Sequence, residues 1–436
     1  MSQSPRFTYV SEIPQEEITY ITDDAEYVAG NPYHIDIIEA DSSWDYTEGS
    51  EEIVVGILDL ACMLSHEDLV GKVHLNSEEI EGDGLDNDGN GYVDDCYGYA
   101  PEHLSGDSIY IIPNPNSQTH GTIVTGVIEA ETNNSIGIAS VGNKVKFIPV
   151  DIDTGGSSLG FSGDGFDYLY SRVDEIDVIN CSFGANYVGF EHLLPAHQAV
   201  IDEFYAEGVI IVGSAGNNDD TDVFYPGNLN HAIAVAATTE TDEKHGASCY
   251  HKYDIDISAP GAPFKSLNTN GGYTNFSHTS AAAPAVSSVC ALMRSIYPEI
   301  TVDQMHTCMY DNADPVYGTY ADSLGAGRVN ALQSVLCAGE LKFIAASAEN
   351  ITVDEPTTYA YPNPCTGSFS VILNYYAYDE INIQVLDMKG AEVAFKSELN
   401  KANGTVEIEL VDTIVGNYFV KVKQGSIINV HQVIVE

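Results

Sequence analysis

Residues 53–60 read IVVGILDL, an apolar run that carries the chain into Asp59. Runs of this kind, rich in Val and Ile and without the alternation of a half-exposed strand, belong to strands buried on both faces. Four more follow: VKFIPVDI (145–152), IDVINCSFG (176–184), VIIVGSAG (209–216) and AIAVAATT (232–239). Stretches with helical spacing lie between them, the clearest being EHLLPAHQAVIDEFYAEG (191–208). A longer one, SAAAPAVSSVCALMRSIY, starts at Ser280. Its Pro284 is expected in the first turn, where a missing N–H costs little. Strands and helices alternating in this way predict a doubly wound, mostly parallel α/β sheet with helices on both faces. The pattern runs out at LGAGRVNALQSV (324–335).

After residue 338 the texture changes. GSFSVILNYY, INIQVLDMKG, TVEIELVD, NYFVKVKQG and INVHQVIVE alternate apolar with polar residues between turn signals, which predicts a small antiparallel β-sandwich. A chain of 436 residues also exceeds one comfortable core. The expected organisation is an N-terminal extension or propeptide remnant (1–30), an α/β domain (31–338), a partly structured linker (339–358) and the sandwich (359–436).

Charge narrows the function. With 65 Asp and Glu against 16 Lys and Arg, the formal net charge is -49. That excludes a nucleic-acid partner, which needs clustered cations, and suits a saline or calcium-bearing medium. The eight cysteines show no zinc spacing. Cys181 and Cys290 read as buried thiols, while Cys62 with Cys96, or Cys308 with Cys337, are candidate pairs in an oxidising compartment. No apolar run is long enough to span a bilayer, and MSQSPRFTYV lacks the apolar core of a leader peptide.

Three residues sit where an open parallel sheet binds its ligands, beyond the carboxyl ends of strands. Asp59 closes IVVGILD, His120 opens a helix in THGTIVTG, and Ser280 opens another in HTSAAAP. A serine hydroxyl becomes a nucleophile when a histidine takes its proton, and the histidine needs a carboxylate to fix its tautomer. Asn217, in the turn GSAGNN, offers a side-chain amide to a developing oxyanion.

These segments, taken in order, resemble the subtilisin-like serine proteases, the subtilases. VGILDL resembles the family's Asp motif, HGTIVTG its His motif and HTSAAAP its Ser motif. INCSFG resembles the strand lining the specificity pocket, and SAGNN the segment with the oxyanion asparagine. YPGNLNHAIAVAA, ISAPG and LGAGRVNA are further landmarks. The resemblance covers about residues 31–336. It implies hydrolysis of internal peptide bonds through an acyl-enzyme on Ser280, with His120 as base then acid, Asp59 as its orienter and Asn217 as oxyanion donor. It also implies that the backbone of Ser182, Phe183, Gly184, Ser214, Ala215 and Gly216 pairs with an extended substrate, Phe183 bordering a pocket that tolerates apolar residues. The chain departs from the family at Leu60 and Ala61, where small residues are usual, at Ile123, at Ala281, and at His278 in place of a glycine.

Two calcium sites are expected, and no organic cofactor. In DGLDNDGNGYVDD (83–95), Asp86, Asp88 and Asn90 stand at alternate positions ahead of Gly91, the Tyr92 carbonyl and Asp94, the rhythm of an oxygen-donating loop. The second site rests on resemblance. TNNSIGIASVG (132–142) is similar to the subtilisin calcium loop, which implies Asp68 and Asn134 side chains with carbonyls of Thr132, Ile136 and Ile138. YPNPCTGSF, VLDMKG and VGNYFVKVKQG resemble the sorting domain of proteins exported by the type IX secretion machinery, implying a secreted or surface location. The function so implied is a calcium-stabilised secreted serine endopeptidase acting on proteins and peptides. The alternative is a catalytically impaired subtilase fold serving as a calcium-dependent surface binding or adhesion protein, motivated by His278, Leu60 and Ala61.

Overall fold

In the computed structural model, the described residues are 22–30, 32–101, 106, 120–152, 163–349, 358–361, 365–373, 381–387, 391–400, 405–411, 415–424 and 427–435. The chain divides into two compact units: residues 1–295 with 301–335, and residues 336–436 with the short segment 296–300.

The first unit opens with three single-turn helices, α1 (Ala25–Val28), α2 (Tyr33–Asp36) and α3 (Ala40–Ser43). Its sheet holds β1 (Val54–Asp59), β2 (Lys146–Asp151), β3 (Val178–Cys181), β4 (Ile210–Ser214), β5 (Ala232–Thr238) and β6 (Ile257–Pro260), in the order β2-β1-β3-β4-β5-β6. Every pairing is parallel. The order turns at β1, whose neighbours are β2 and β3, and ligands bind outside such a turning point. Because each strand meets side chains on both faces, β1, β3, β4, β5 and β6 are buried at every position, which is why their sequences show no alternation. Val54, Ile148, Phe166, Ile179, Phe204 and Ile211 belong to the core cluster on this sheet.

The helices are α4 (His120–Glu129), α5 (Gly163–Ser171), α6 (Leu194–Ala206), α7 (Thr279–Ile296), α8 (Val302–Asp311) and α9 (Ala331–Glu349), with a hairpin of β7 (Phe264–Leu267) and β8 (Tyr273–Phe276) ahead of α7. The helix of α9 continues through Glu349, well into the segment expected as linker; residues 350–357 lie outside the described residues. Pro284 is not in the first turn. It is the sixth residue of α7, so it withholds the N–H that would bond the Ser280 carbonyl. That carbonyl accepts the Ser182 hydroxyl instead, at 3.1 Å. The Ser182 hydroxyl in turn accepts from Asn180 Nδ2 at 3.0 Å, and Asn180 Oδ1 accepts from Ser287 at 2.9 Å. A buried polar chain thus joins the end of β3 to the start of α7.

The second unit is a two-sheet sandwich. One sheet runs β12 (Phe395–Asn400), β13 (Thr405–Leu410), β10 (Ser368–Leu373), β9 (Thr358–Tyr361); the other runs β11 (Ile381–Asp387), β14 (Gly416–Gln424), β15 (Ile427–Val435). All pairs are antiparallel. Phe369, Val371, Val385, Val406, Ile408, Val420, Val422 and Val433 fill the space between them. Cys308 and Cys337 are disulfide-bonded. Cys62 and Cys96 are free thiols, as are Cys181, Cys249, Cys290 and Cys365. No helix among the described residues is long and apolar enough to cross a membrane.

Candidate active site

Asp59 ends β1 at the turning point of the sheet and is 2% exposed. One carboxylate oxygen, Oδ1, accepts the Leu60 N–H at 2.7 Å and meets His120 Nδ1 at 2.7 Å. A carboxylate can only accept, so this contact fixes the proton on Nδ1 and leaves Nε2 with a lone pair. Burial alone would lower the His120 pKa; the Asp59 charge and hydrogen bond outweigh it and raise the value above the ordinary imidazole range.

His120 is the first residue of α4, and close packing brings it to Asp59. A Cβ on Gly121 would collide with the Leu60 carbonyl, so only glycine admits the helix here. Thr122 Oγ1 accepts the Met63 N–H at 2.9 Å, tying the helix to the segment after β1. The Phe276 ring stands edge-on to His120, centroids 5.8 Å apart and planes at 80°. Ala61 is buried within this contact zone, while Cys62 is a fully buried thiol whose pKa burial pushes up to about 12, leaving it unreactive.

Ser280 is the second residue of α7. Its hydroxyl donates to the Ser182 carbonyl at 3.1 Å. Around Asn217, the residue expected to face an oxyanion, the structure adds a partner. Asn217 Oδ1 accepts from the Thr279 N–H at 3.0 Å and from Thr279 Oγ1 at 2.9 Å. With its oxygen so engaged by the neighbour of Ser280, Asn217 Nδ2 donates no hydrogen bond among the described residues. Thr279 has no role in the sequence reading; its position beside Ser280 was the only signal.

His278 carries φ +77°, the left-handed region that a glycine would occupy without strain. The imidazole is exposed, bonded to Ser277 Oγ at 2.7 Å and edge-on to His245 at 4.8 Å between centroids. Its carbonyl accepts the Ala281 and Ala282 N–H groups, which start α7.

The backbone expected to face a substrate is partly engaged within the fold. The Ala215 N–H goes to the Val235 carbonyl and its carbonyl takes the Phe224 N–H, while the Gly216 carbonyl takes the Cys249 N–H. The Ala215 N–H is thus spent inside the fold, while each of the two carbonyls keeps a second lone pair. Gly216 has φ +105°, and a Cβ there would strike the Phe224 ring. Phe183 is 8% exposed and packs in the core cluster with Tyr225. Ser182 and Gly184 follow β3 directly, and Ser214 ends β4 with its hydroxyl on the Phe183 carbonyl at 3.5 Å.

Of the acidic loop, Asp86 and Asp88 converge, joined by a residue the sequence reading missed. Ligand atoms of Glu79, Asp86 and Asp88 lie within 4.8 Å of one another. Glu79 is 8% exposed; Oε1 accepts the Asn87 and Asp88 N–H groups, and Oε2 is buried with no hydrogen-bond partner. The Tyr92 carbonyl receives no hydrogen bond among the described residues, and Asn90 bonds Asp88 at 2.9 Å. Asp94 points elsewhere, its carboxylate accepting the Asp83 and Gly84 N–H groups. At the second expected site, Asp68 Oδ1 meets the Asn134 amide at 2.8 Å and Oδ2 accepts from Ile138 N and Tyr273 OH. The Thr132, Ile136 and Ile138 carbonyls receive no hydrogen bond among the described residues.

Residues 50–335 match the Subtilase family. The chain belongs to the subtilase family, the subtilisin-like serine proteases. Residues 359–436 match the Secretion system C-terminal sorting domain, which makes the protein a secreted or cell-surface one. Thermitase of Thermoactinomyces vulgaris is 28% identical over 309 residues, 71% of this chain and 97% of that protein. A thermophilic serine proteinase of Bacillus sp. strain AK1 is 30% identical over 312 residues, 71% and 68% of the two chains. A solved structure of proteases from Pseudoalteromonas arctica shares the fold, with a TM-score of 0.56 at 23% identity over 73% of this chain and 99% of that one.

Proposed function

We propose that this subtilase is a secreted serine endopeptidase acting through an acyl-enzyme on Ser280, with calcium as a structural ion. The observation that carries the reading is the Asp59–His120 contact at the turning point of the sheet, with Asn217 tethered to Thr279 beside the nucleophile. In the reaction, Ser280 Oγ exchanges the Ser182 carbonyl for His120 Nε2 and gives up its proton as it bonds to the substrate carbonyl carbon. The carbonyl oxygen takes the negative charge, facing Asn217 Nδ2–H. His120 then returns the proton to the amine as the C–N bond breaks, and water repeats the sequence to release the acid. The freed Ser182 carbonyl and the Gly184 backbone are the groups that pair with an extended substrate.

Glu79, Asp86 and Asp88, with Asn90 and the Tyr92 carbonyl, would hold one calcium; the orphaned Glu79 oxygen is what fits it. Asp68, Asn134 and the carbonyls of Thr132, Ile136 and Ile138 would hold a second. Each ion supplies positive charge among carboxylates in a chain of net charge -49. The β-sandwich hands the protein to type IX secretion machinery. A fluorophosphonate probe tests the enzyme reading. Labelling of the calcium-loaded mature protein that vanishes in Ser280→Ala is the expected result. A folded protein that resists the probe would instead make this a binding protein on a protease scaffold.

A further inference from the structure

The sorting sandwich has two outer faces of opposite character. On the four-stranded sheet, Val406, Ile408 and Leu410 point into the core, so Glu407 and Glu409 point out. Register places Glu398 opposite Glu407 and Lys396 opposite Glu409. That face carries three carboxylates and one ammonium. On the three-stranded sheet, Tyr418, Val420 and Val422 are inward, so Phe419, Lys421 and Lys423 are outward. Register sets Leu386 opposite Phe419 and Val430 opposite Lys421. Ile434, at 38% exposed, lies on the same face. No Asp or Glu occupies a position of this face on β11, β14 or β15; Glu392 is bridged to Leu386 beyond the β11 edge. Lys421 and Lys423 form no ion pair among the described residues.

In a chain with 65 acids and 16 bases, a face that among the described residues of its three strands holds no acid and two lysines outside any ion pair, around an aromatic and aliphatic centre, is out of keeping with a surface shaped only for solubility. We infer that this face, resting on the sorting-domain reading, docks a protein partner whose contact surface is an apolar patch rimmed by carboxylates. An apolar centre with a charged rim is the anatomy of a protein interface. An anionic membrane is the weaker fit, since stable binding there calls for roughly four to eight clustered basic residues and this face has two. The lysines also give the domain a way to orient toward an acidic partner while the acidic face is turned aside.

The test uses the full chain in a bacterium carrying the secretion machinery, with the exported fraction read by immunoblot and folding checked by thermal melting of purified protein. Lys421→Glu with Lys423→Glu is expected to cut export at least about tenfold, and the Gln pair to fall between. Glu398→Lys with Glu409→Lys, on the other face, is expected to export normally. Deletion of 359–436 separates the two readings. If deletion blocks export and the folded lysine reversal does not, the docking face is wrong; if deletion leaves export intact, the sorting role is wrong. Two further results overturn the inference: lysine-dependent binding to anionic phospholipid vesicles, and lysine-dependent self-association of the purified chain in light scattering.

Discussion

The tether on Asn217 can be taken apart quantitatively. Its oxygen is held by two bonds from Thr279, one from the backbone and one from the hydroxyl. Thr279→Val keeps shape and backbone bond and removes one neutral hydrogen bond, worth about 1 kcal/mol. If that bond serves to aim Nδ2 at the oxyanion, the cost falls on kcat, roughly fivefold, with KM little changed. Asn217→Leu removes the donor itself and is expected to cost about 10²–10³ in kcat, the magnitude typical of losing one oxyanion donor in a subtilisin. The decisive comparison is the double variant. Thr279 acts through Asn217, so adding Thr279→Val to Asn217→Leu is expected to change kcat no further, a coupling that equals the whole single effect. Initial rates on a chromogenic peptide, with melting curves for each variant, give all four corners. Additive losses, or a Thr279→Val defect confined to KM or to stability, would refute the tether.

Other expectations follow from the same geometry. With Ser280→Ala as background to prevent self-digestion, calcium at 100 times its Kd is expected to stabilise by about 2.7 kcal/mol per site, roughly 5–10 °C in Tm. Glu79→Gln should lose one site's share while Asp94→Asn keeps it, and scanning fluorimetry with and without chelator would expose the reverse pattern. Replacing His278 by Gly relieves a left-handed residue costing about 1–2 kcal/mol and adds about 0.5–1 kcal/mol of chain-entropy cost, for a net gain of up to about 1.5 kcal/mol. A lowered Tm would show that the imidazole contacts outweigh the strain. For pH, His120 must be neutral to accept a proton and its pKa is raised, so the acid limb of kcat/KM is expected above 6.5. In stability the sign is opposite: the Asp59–His120 contribution is complete below 6.5 and is lost as pH rises through the raised value. Asp59→Asn should move the limb down while lowering the plateau; an unmoved limb would mean that another group titrates.

The sequence by itself determined five of the six strands of the parallel sheet and pointed to the residues proposed to react. Burial on both faces leaves its mark in consecutive residues, so IVVGILDL and its four companions gave the strands directly. The placing of Asp59, His120 and Ser280 follows from a local rule, the end of a strand or the start of a helix. What depended on convergence was out of reach. Glu79 joins Asp86 and Asp88 only when the loop closes, and Asp94, correct in spacing, turns away because its carboxylate satisfies the Asp83 and Gly84 amides. Ala215 looks available in the chain, yet its N–H is consumed by the Val235 carbonyl of the neighbouring strand. Pro284 belongs to both accounts. The residue is plain in the sequence, but only the packed structure supplies Ser182 as the partner for the carbonyl it leaves free, because a backbone group stripped of its helical bond takes whatever donor the tertiary fold brings to it.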